Sequence, residues 1–287
     1  MQNQLLKGAY DLHVHTAPDV VSRKMDDMEL ARSCIEAGMK GVAIKAHYFN
    51  TEGRAYHVRK SFPGFNAIGC VVLNNSMGGL NPYAVRQAGM LGTKLVFMPT
   101  MDAQNMWDYL ESSNDAIPFG ASSKSAGEVQ TIRVWENGVF NPHCEEILEL
   151  ILQYDMVLCT GHISPEESLH LLKFAKQKGL KKIIATHVEW PATRTTVEQQ
   201  KEYVTCGAYL EHNVANIMSG DLPIDEFVKQ VKEIGAEHMI LSTDLGQAIN
   251  PEPVKMFEEY VRKLLDAGIT ESEMRLMIVD NPAYLVE

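Results

Sequence analysis

The stretch MVLCTGHISPEESLHLLKFAKQKGLKKIIATHVEW, residues 156–190, decides the fold. It begins with the apolar run 156–164, continues as a helical pattern, and ends in a second apolar run, 182–190. Ser164 has the position of a helix N-cap, and Glu167 completes a capping box with it. Two nearly continuous apolar runs separated by a helix are typical of parallel strands that are buried on both faces.

The same alternation extends through the 287 residues of the chain. Six further short apolar runs have the same character, and they cover residues 9–15, 41–47, 67–75, 93–100, 208–215 and 239–246. Helical patterns that stop at a glycine lie between them, for example over 25–38 and 251–268. Eight strands alternating with helices predict an α/β fold of the (β/α)8 TIM-barrel type. Since no repeat or linker interrupts the pattern, we expect one domain spanning 1–287.

One connection is much longer than the others. Roughly residues 102–142 separate the fourth predicted strand from the fifth, and TIRVWENGVF within them indicates a small hairpin around Glu136–Gly138. Long connections in compact domains are usually functional or disordered. Because this one leaves the carboxyl end of a strand, we expect a lid over the barrel mouth, with a decorative insertion as the alternative.

Composition restricts the partners and the compartment. The net charge of -11 argues against nucleic acid or an anionic membrane as the partner, and a small molecule is expected instead. No segment approaches the ~20 apolar residues of a membrane span. The five scattered cysteines contain no C-x-x-C, which is typical of reduced thiols in a cytoplasmic protein. A homo-oligomer is an open alternative to a monomer.

Polar side chains concentrate at the carboxyl ends of the predicted strands, which converge on one site in such barrels. They are His13 and His15 on the first strand, Lys45 and His47 on the second, and His162, His187 and Asp244 on the fifth, sixth and eighth. Taken singly, each histidine could be a satisfied core residue, and Asp244 could be a helix N-cap. Together they predict a metal centre, because imidazole and carboxylate are zinc ligands and a buried histidine cluster without metal leaves ring nitrogens unpaired.

This pattern resembles that of the amidohydrolase superfamily of metal-dependent hydrolases. The resemblance rests on YDLHVHTAPD, VVLNNSMGGLNP, ATHVEWP, GAYLEH, LSTDLGQ and DNPAYL, and it covers nearly the whole chain. It implies one or two divalent ions, with Zn2+ first and Mn2+, Fe2+ or Ni2+ as alternatives. The implied ligands are His13, His15, His162, His187 and Asp244. The implied catalytic residues are Asp244, which takes the proton of the attacking water, and His187, which holds metal or stabilises an oxyanion.

The chain departs from that family at one place. Binuclear members usually carry a bridging carboxylated lysine or a glutamate at the end of the fourth strand, where this chain has Met98–Thr100. Either the site holds one ion, or Lys45 is carboxylated and provides the bridge. A salt bridge from Lys45 to Glu211 or Glu189 is the alternative to carboxylation. His47 is a further ligand or a substrate contact.

The resemblance implies attack of activated water on a C–N or C–O bond of an amide, lactone or ester. Basic residues around the predicted mouth suggest a small anionic substrate in spite of the negative net charge. The loops after the strands supply the candidate substrate-binding residues, which are Arg23, Lys24, Arg54, Asn75, Arg194, Glu211 and Gln247.

Three other functions stay open. A phosphoesterase of the polymerase-and-histidinol-phosphatase type also has an N-terminal His-x-His, but it usually shows DH at the second strand and a late DAH, where this chain has KAH and DLG. A metal-dependent decarboxylase would keep the fold and change the reaction. A non-catalytic metal-binding barrel would be expected to lack Asp244, which this chain retains.

Overall fold

The structure, a computed structural model, describes residues 5–113 and 130–287. Eight parallel strands pair in the order β1-β2-β3-β4-β7-β8-β9-β10. They are β1 Tyr10–His15, β2 Gly41–Lys45, β3 Asn66–Val72, β4 Leu95–Phe97, β7 Val157–Cys159, β8 Ile183–Ala185, β9 Tyr209–Asn213 and β10 Met239–Ser242. The first and last strands meet, because the His15 amide donates to the Leu245 carbonyl at 2.8 Å. The predicted (β/α)8 barrel is therefore confirmed.

Helices surround the barrel, and those predicted over 25–38 and 251–268 are present as α1 and α10. They are α1 Asp27–Glu36, α2 Glu52–Ser61, α3 Pro82–Leu91, α4 Gln104–Ser113, α5 Cys144–Gln153, α6 Pro165–Gln177, α7 Val197–Thr205, α8 Val214–Ser219, α9 Ile224–Ile234, α10 Pro253–Asp266, α11 Glu271–Arg275 and α12 Asn281–Val286. The predicted capping box of α6 forms between Ser164 and Glu167. None of the helices in the described parts of the chain has the length and hydrophobicity needed to cross a bilayer.

Two apolar layers hold these elements together. The larger layer joins the outer faces of the strands to the helices, and it includes Leu148, Leu171 and Phe257. The smaller layer fills the barrel interior with residues such as Leu12 and Phe97, and α12 adds its Leu285 and Val286 to it. Because both faces of each strand are buried, the strands read as continuous apolar runs. All five cysteines are buried and unpaired, as the reduced-thiol prediction requires.

The long connection contains structure of its own. It begins with α4 and ends with the hairpin of β5 (Trp135–Glu136) and β6 (Val139–Phe140). The hairpin prediction is confirmed: the two strands pair antiparallel, and the turn residues Asn137 and Gly138 have the positive φ angles that a two-residue turn requires. Residues 114–129 of the insertion lie outside the described residues, and so does the central part of the expected lid.

Candidate metal centre

The two histidines of β1 lie at its carboxyl end and are buried. The strand register shifts between Asp11 and Val14, so β1 carries an irregularity directly at His13. The Asp11 carboxylate accepts the amides of His13 at 3.2 Å and Thr243 at 3.0 Å, which fixes this irregularity against the segment after β10. Burial raises the pKa of Asp11 to about 7.

Three side chains from different strands converge above β1. His13 Nε2 lies 3.2 Å from Asp244 Oδ1, and His187 Nε2 lies 3.9 Å from Asp244 Oδ2. One potential ligand atom from each of these residues falls within 4.8 Å of the others. His15 joins them, because its Nε2 atom is 3.2 Å from Asp244 Oδ1. The predicted ligands of β1 and of the segments that directly follow β8 and β10 therefore form one cluster.

Unusual backbone conformations place two of these side chains. His187 and Asp244 have φ angles of 55° and 52°, in the left-handed region that residues other than glycine rarely adopt. Gly246 follows at φ 117°, and a Cβ atom there would lie only 1.7 Å from the carbonyl oxygen of His15. The glycine thus lets the segment after β10 approach β1 closely. Such strain concentrates at functional sites.

Acceptors hold the outer ring nitrogens of two cluster histidines. His13 Nδ1 is 3.1 Å from Glu211 Oε1, and His187 Nδ1 is 2.7 Å from Asn213 Oδ1. With a proton on Nδ1, each ring leaves its Nε2 lone pair facing Asp244. Metal-binding histidines are commonly oriented in this way. Burial raises the pKa of Glu211 to about 7.

Lys45 reaches the same cluster from β2. Its side chain is completely buried, and Nζ lies 2.7 Å from His13 Nε2 and 4.5 Å from the Phe97 ring centroid. Burial lowers the pKa of Lys45, although Asp244 and Glu211 act in the opposite direction. Among the ion pairs of the described residues, none joins Lys45 to Glu211 or Glu189, so the salt-bridge alternative finds no support.

His162 and His47 complete the ring of histidines. Both ring nitrogens of His162 are buried and have no hydrogen-bond partner among the described residues, which is costly for a polar group. His47 stacks on His15 with centroids 5.0 Å apart, and its Nδ1 atom is 2.9 Å from Thr100 Oγ1. Thr100, three residues after β4, therefore orients a histidine.

The histidines of this site are suited to bind a cation as neutral rings. Burial first, and then the Lys45 charge, lower the pKa values of His13, His47 and His162 well below the usual range. For His15, burial and the adjacent Arg23 act in the same direction. Neutral imidazole is the form that coordinates metals.

A cavity of about 280 Å³ opens above the cluster. The predicted ligands line it, apart from His13, which lies beneath its floor. Arg23 and Gln247 form one side, and the side chains of Met101, Met106 and Trp190 form another. The cavity thus has a polar floor and one apolar wall.

Comparison with known proteins identifies the family. Residues 8–211 match the model of a protein family described as "Family of unknown function (DUF6282)". The chain belongs to this family. No curated protein matches the sequence. The family assignment therefore comes from the matched segment, which includes β1 to β9 up to Glu211 and excludes Asp244.

Solved structures with the same fold are numerous. An amidohydrolase from Pseudomonas aeruginosa is 11% identical with a TM-score of 0.56, and the match covers 99% of this chain and 96% of that one. A phosphotriesterase homology protein from Escherichia coli, with phosphate in its active site, is 11% identical (TM-score 0.60; 98% and 99% covered). The organophosphorus hydrolase from Deinococcus radiodurans is 14% identical (TM-score 0.61; 99% and 94% covered). The resemblance to the amidohydrolase superfamily is confirmed at the level of the fold.

Three of the predicted substrate-binding residues lie at the site. Arg23 lines the cavity, its Nε atom donates to Asp19 at 2.7 Å, and its Nη2 atom lies 3.2 Å from His15 Nδ1. Gln247 also lines the cavity, and its amide donates to the Asp244 carbonyl at 2.9 Å. Glu211 lies beneath the cavity, against His13, so its contact is with a candidate ligand.

The other four predicted residues, Lys24, Arg54, Asn75 and Arg194, do not line this cavity. Arg54 is committed to an ion pair with Asp27 at 2.6 Å. The side chains of Lys24 and Asn75 are exposed, and that of Arg194 is 53% exposed. Their roles in substrate binding stay predictions.

Sequence reasoning missed several residues of the site. Asn213 lies two positions after Glu211 on the same strand, so strand alternation places both on one face and was a usable signal. Trp190 follows His187 by three residues, in the loop where binding residues are expected. Met101 directly precedes the long connection and Met106 lies in its α4, and no local pattern distinguishes them from core methionines.

Proposed function

We propose that the protein is a metal-dependent hydrolase of the amidohydrolase type. Its reaction would be attack of water on a C–N or C–O bond of an amide, lactone or ester in a small anionic substrate. The convergence of His13, His187 and Asp244 beneath a cavity is the observation that carries the proposal. Five further residues support it by lining the cavity with imidazole, amine and guanidinium groups: His15, His47, His162, Lys45 and Arg23.

The residues fit a divalent ion. The separations of 3.2 Å that join His13 and His15 to Asp244 match the ~3.3 Å between ligand atoms of a tetrahedral zinc site with Zn–N distances of ~2.0–2.1 Å. The two unpartnered nitrogens of buried His162 are an independent sign of a missing partner. A single ion would be held by His13, His15, His162 and Asp244, with His187 beside the substrate. In a site with two ions, His187 would be a ligand as well. Zinc suits imidazole and carboxylate best, and Mn2+, Fe2+ and Ni2+ are the alternatives.

A bound divalent ion supplies a Lewis acid that lowers the pKa of water toward ~7 and polarises a carbonyl or phosphoryl oxygen. Asp244 would accept the proton of the attacking water and pass it to the leaving group. Burial acts to raise the pKa of Asp244, but the positive charge around it, to which Lys45 and Arg23 contribute, outweighs burial and holds the pKa below its usual value. The carboxylate is therefore ionised at neutral pH, as a proton acceptor must be.

His187 would bind the ion through Nε2 or, once that nitrogen also carries a proton, donate a hydrogen bond from it to a developing oxyanion. The contact of its Nδ1 atom with Asn213 fixes the ring, so Nε2 is held toward Asp244. A donor that is fixed before the reaction costs little reorganisation in the transition state.

The number of ions depends on Lys45. As an unmodified amine it lies 2.7 Å from His13 Nε2, and we then expect one ion. Carboxylation of Lys45 would turn it into an anionic ligand next to His13, and the site would hold two. A small molecule is the proposed partner, because the cavity is only about 280 Å³. A cytoplasmic location is proposed from the unpaired buried cysteines.

Hydrolysis of a phosphoester is the second candidate. The structural neighbour from Escherichia coli is described with phosphate in its active site, and the Deinococcus radiodurans neighbour is an organophosphorus hydrolase. Arg23 at the side of the cavity would suit a phosphoryl oxygen as well as a carboxylate. The reaction assay below separates the two candidates.

The test is a substrate screen of the zinc-loaded protein with p-nitrophenyl carboxylates, γ-lactones, N-acyl amino acids and p-nitrophenyl phosphates. We expect turnover of one of the first three classes, its loss after chelation, and its return with added zinc. Turnover of the phosphates alone would favour the second candidate. Turnover that persists after chelation would contradict both.

A further inference from the structure

The cavity above the candidate metal centre has two chemically different sides. Arg23 follows β1 and Gln247 follows β10, and the two residues form an isolated antiparallel bridge. Met101 and Met106 follow β4, which lies four strands away from β10 in the eight-stranded barrel and therefore across the mouth. His187 and Asp244 lie between the two sides.

The apolar wall is held in place by hydrogen bonds to its backbone. The Trp107 indole donates to the Met101 carbonyl at 3.0 Å. The Asn105 amide donates to the carbonyls of His162 at 3.1 Å and Ala192 at 2.7 Å, which ties α4 to the loop that carries Trp190. A backbone fixed in this way does not have to be ordered when a ligand binds.

Trp190 presents a flat apolar surface at this wall. Its ring packs against Tyr109 of α4 with centroids 5.8 Å apart, and against His162 at 5.0 Å. Trp190 is only partly buried, whereas Met101 and Met106 beside it are buried. A partly exposed indole next to two methionines is a surface on which a planar apolar group gains both burial and stacking.

The polar side is equally fixed. Arg23 is held by Asp19, and Gln247 is held by the Asp244 carbonyl. Asp19 offsets part of the arginine charge, so this side alone gives a weak anion site. An additional source of affinity is needed, and the opposite wall offers it.

We propose that the substrate is a small amphiphilic anion, with its anionic group toward Arg23 and Gln247 and a planar apolar group against Trp190, Met101 and Met106. The bond to be hydrolysed then lies over His187 and Asp244. The inference rests on the proposed function and adds the apolar half of the substrate. Because the cavity is smaller than the pockets that bind drug-sized ligands, the apolar group is about the size of one aromatic ring.

The test compares two probes that differ only in the apolar group, benzylphosphonate and methylphosphonate. Calorimetry measures both affinities for the zinc-loaded protein. Since the phosphonate is common to both, its contacts with the ion and with Arg23 cancel in the ratio. We expect benzylphosphonate to bind at least about tenfold more tightly. Equal affinities, or no binding of benzylphosphonate, would overturn the inference.

Two tryptophan variants locate the effect. In Trp190→Ala the ratio should fall to about threefold or less, with zinc content unchanged. Trp135→Ala is the matched control, because Trp135 stacks on His170 of α6 and does not line the cavity, so the ratio should be retained. Arg23→Met should weaken both probes and leave the ratio intact. An unchanged affinity ratio in Trp190→Ala would overturn the inference. Failure of the wild-type protein to bind zinc would instead overturn the proposed function.

Discussion

Glu211 and His212 are neighbours on β9, and each takes part in a buried contact between a histidine and a glutamate. Glu211 faces the barrel interior, where its Oε1 atom is 3.1 Å from His13 Nδ1. His212 faces the helices, where its Nδ1 atom is 2.6 Å from Glu189 Oε1. We call these the inner pair (His13–Glu211) and the outer pair (Glu189–His212). They consist of the same residue types and are almost equally buried.

What differs is the surroundings. The inner pair contacts Asp244 and Lys45 through His13 and lies beneath a cavity. The outer pair is covered by Phe227, whose ring centroid is 5.0 Å from that of His212. Beyond their ion-pair contact, the ring nitrogens of His212 and the carboxylate oxygens of Glu189 have no hydrogen-bond partner among the described residues. Buried charge therefore does not identify a functional site by itself. Convergence of several ligand atoms on accessible space does.

The largest expected effect is at the centre above the inner pair. Asp244→Asn removes the proposed proton acceptor, so turnover of the substrate found in the screen should fall by about 10²–10⁴-fold. Asp155→Asn is the matched control, since Asp155 also has a left-handed backbone, with φ 49°, and lies far from the cavity on the surface. Turnover should be unchanged there. Wild-type turnover by Asp244→Asn would remove Asp244 from the mechanism.

The outer pair should affect stability without affecting the metal. Glu189→Leu or His212→Leu alone leaves one buried polar partner unpaired, which should cost about 3–5 kcal/mol of unfolding free energy in urea denaturation. The double variant should recover most of this loss, because well-packed apolar residues often replace a buried ion pair at little cost. If the double variant is no more stable than the single variants, the two residues of the outer pair must stabilise the fold through contacts other than the one between them.

The smallest effect is expected for an exposed ion pair. Burial opposes ionisation of Asp155, but the hydrogen bonds and charges of Lys182 and Lys94 together outweigh it and lower the pKa of Asp155. A carboxylate whose pKa is lower in the folded than in the unfolded protein stabilises the fold at pH values above its unfolded-state pKa. This stabilisation is lost as the pH falls through its folded-state pKa. Asp155→Asn should therefore cost at most about 1 kcal/mol at pH 7 and nothing in acid. A cost that is independent of pH would contradict this account.

Much of the fold was predictable because each strand is buried on both faces. A continuous apolar run between turn residues locates such a strand, and the residue at its carboxyl end follows directly. This is why His13, His162, His187 and Asp244 could be assigned to one site from the sequence. Strand alternation also places Glu211 and His212 on opposite faces of β9, although it does not show which face belongs to the functional site.

The remaining features depend on contacts between distant residues. From the sequence, Arg54 is expected to be a free cation near the barrel mouth, but the Asp27 carboxylate, 27 positions earlier in the chain, binds it. The apolar wall requires α4 of the long connection to meet the loop after β8, and no local pattern specifies that encounter. The approach of Lys45 to His13 follows from the register of β1 with β2, in which His15 pairs with Lys45, and only the structure gives that register.

The central claim is that the histidine and aspartate cluster above the inner pair binds a metal and that the outer pair does not. Elemental analysis of protein purified without chelator would measure metal per chain in the wild type, in His13→Asn and in His212→Asn. We predict at least one ion per chain in the wild type and in His212→Asn, and a loss in His13→Asn. Equal metal content in all three, or a wild type that stays metal-free after reconstitution, would contradict the claim.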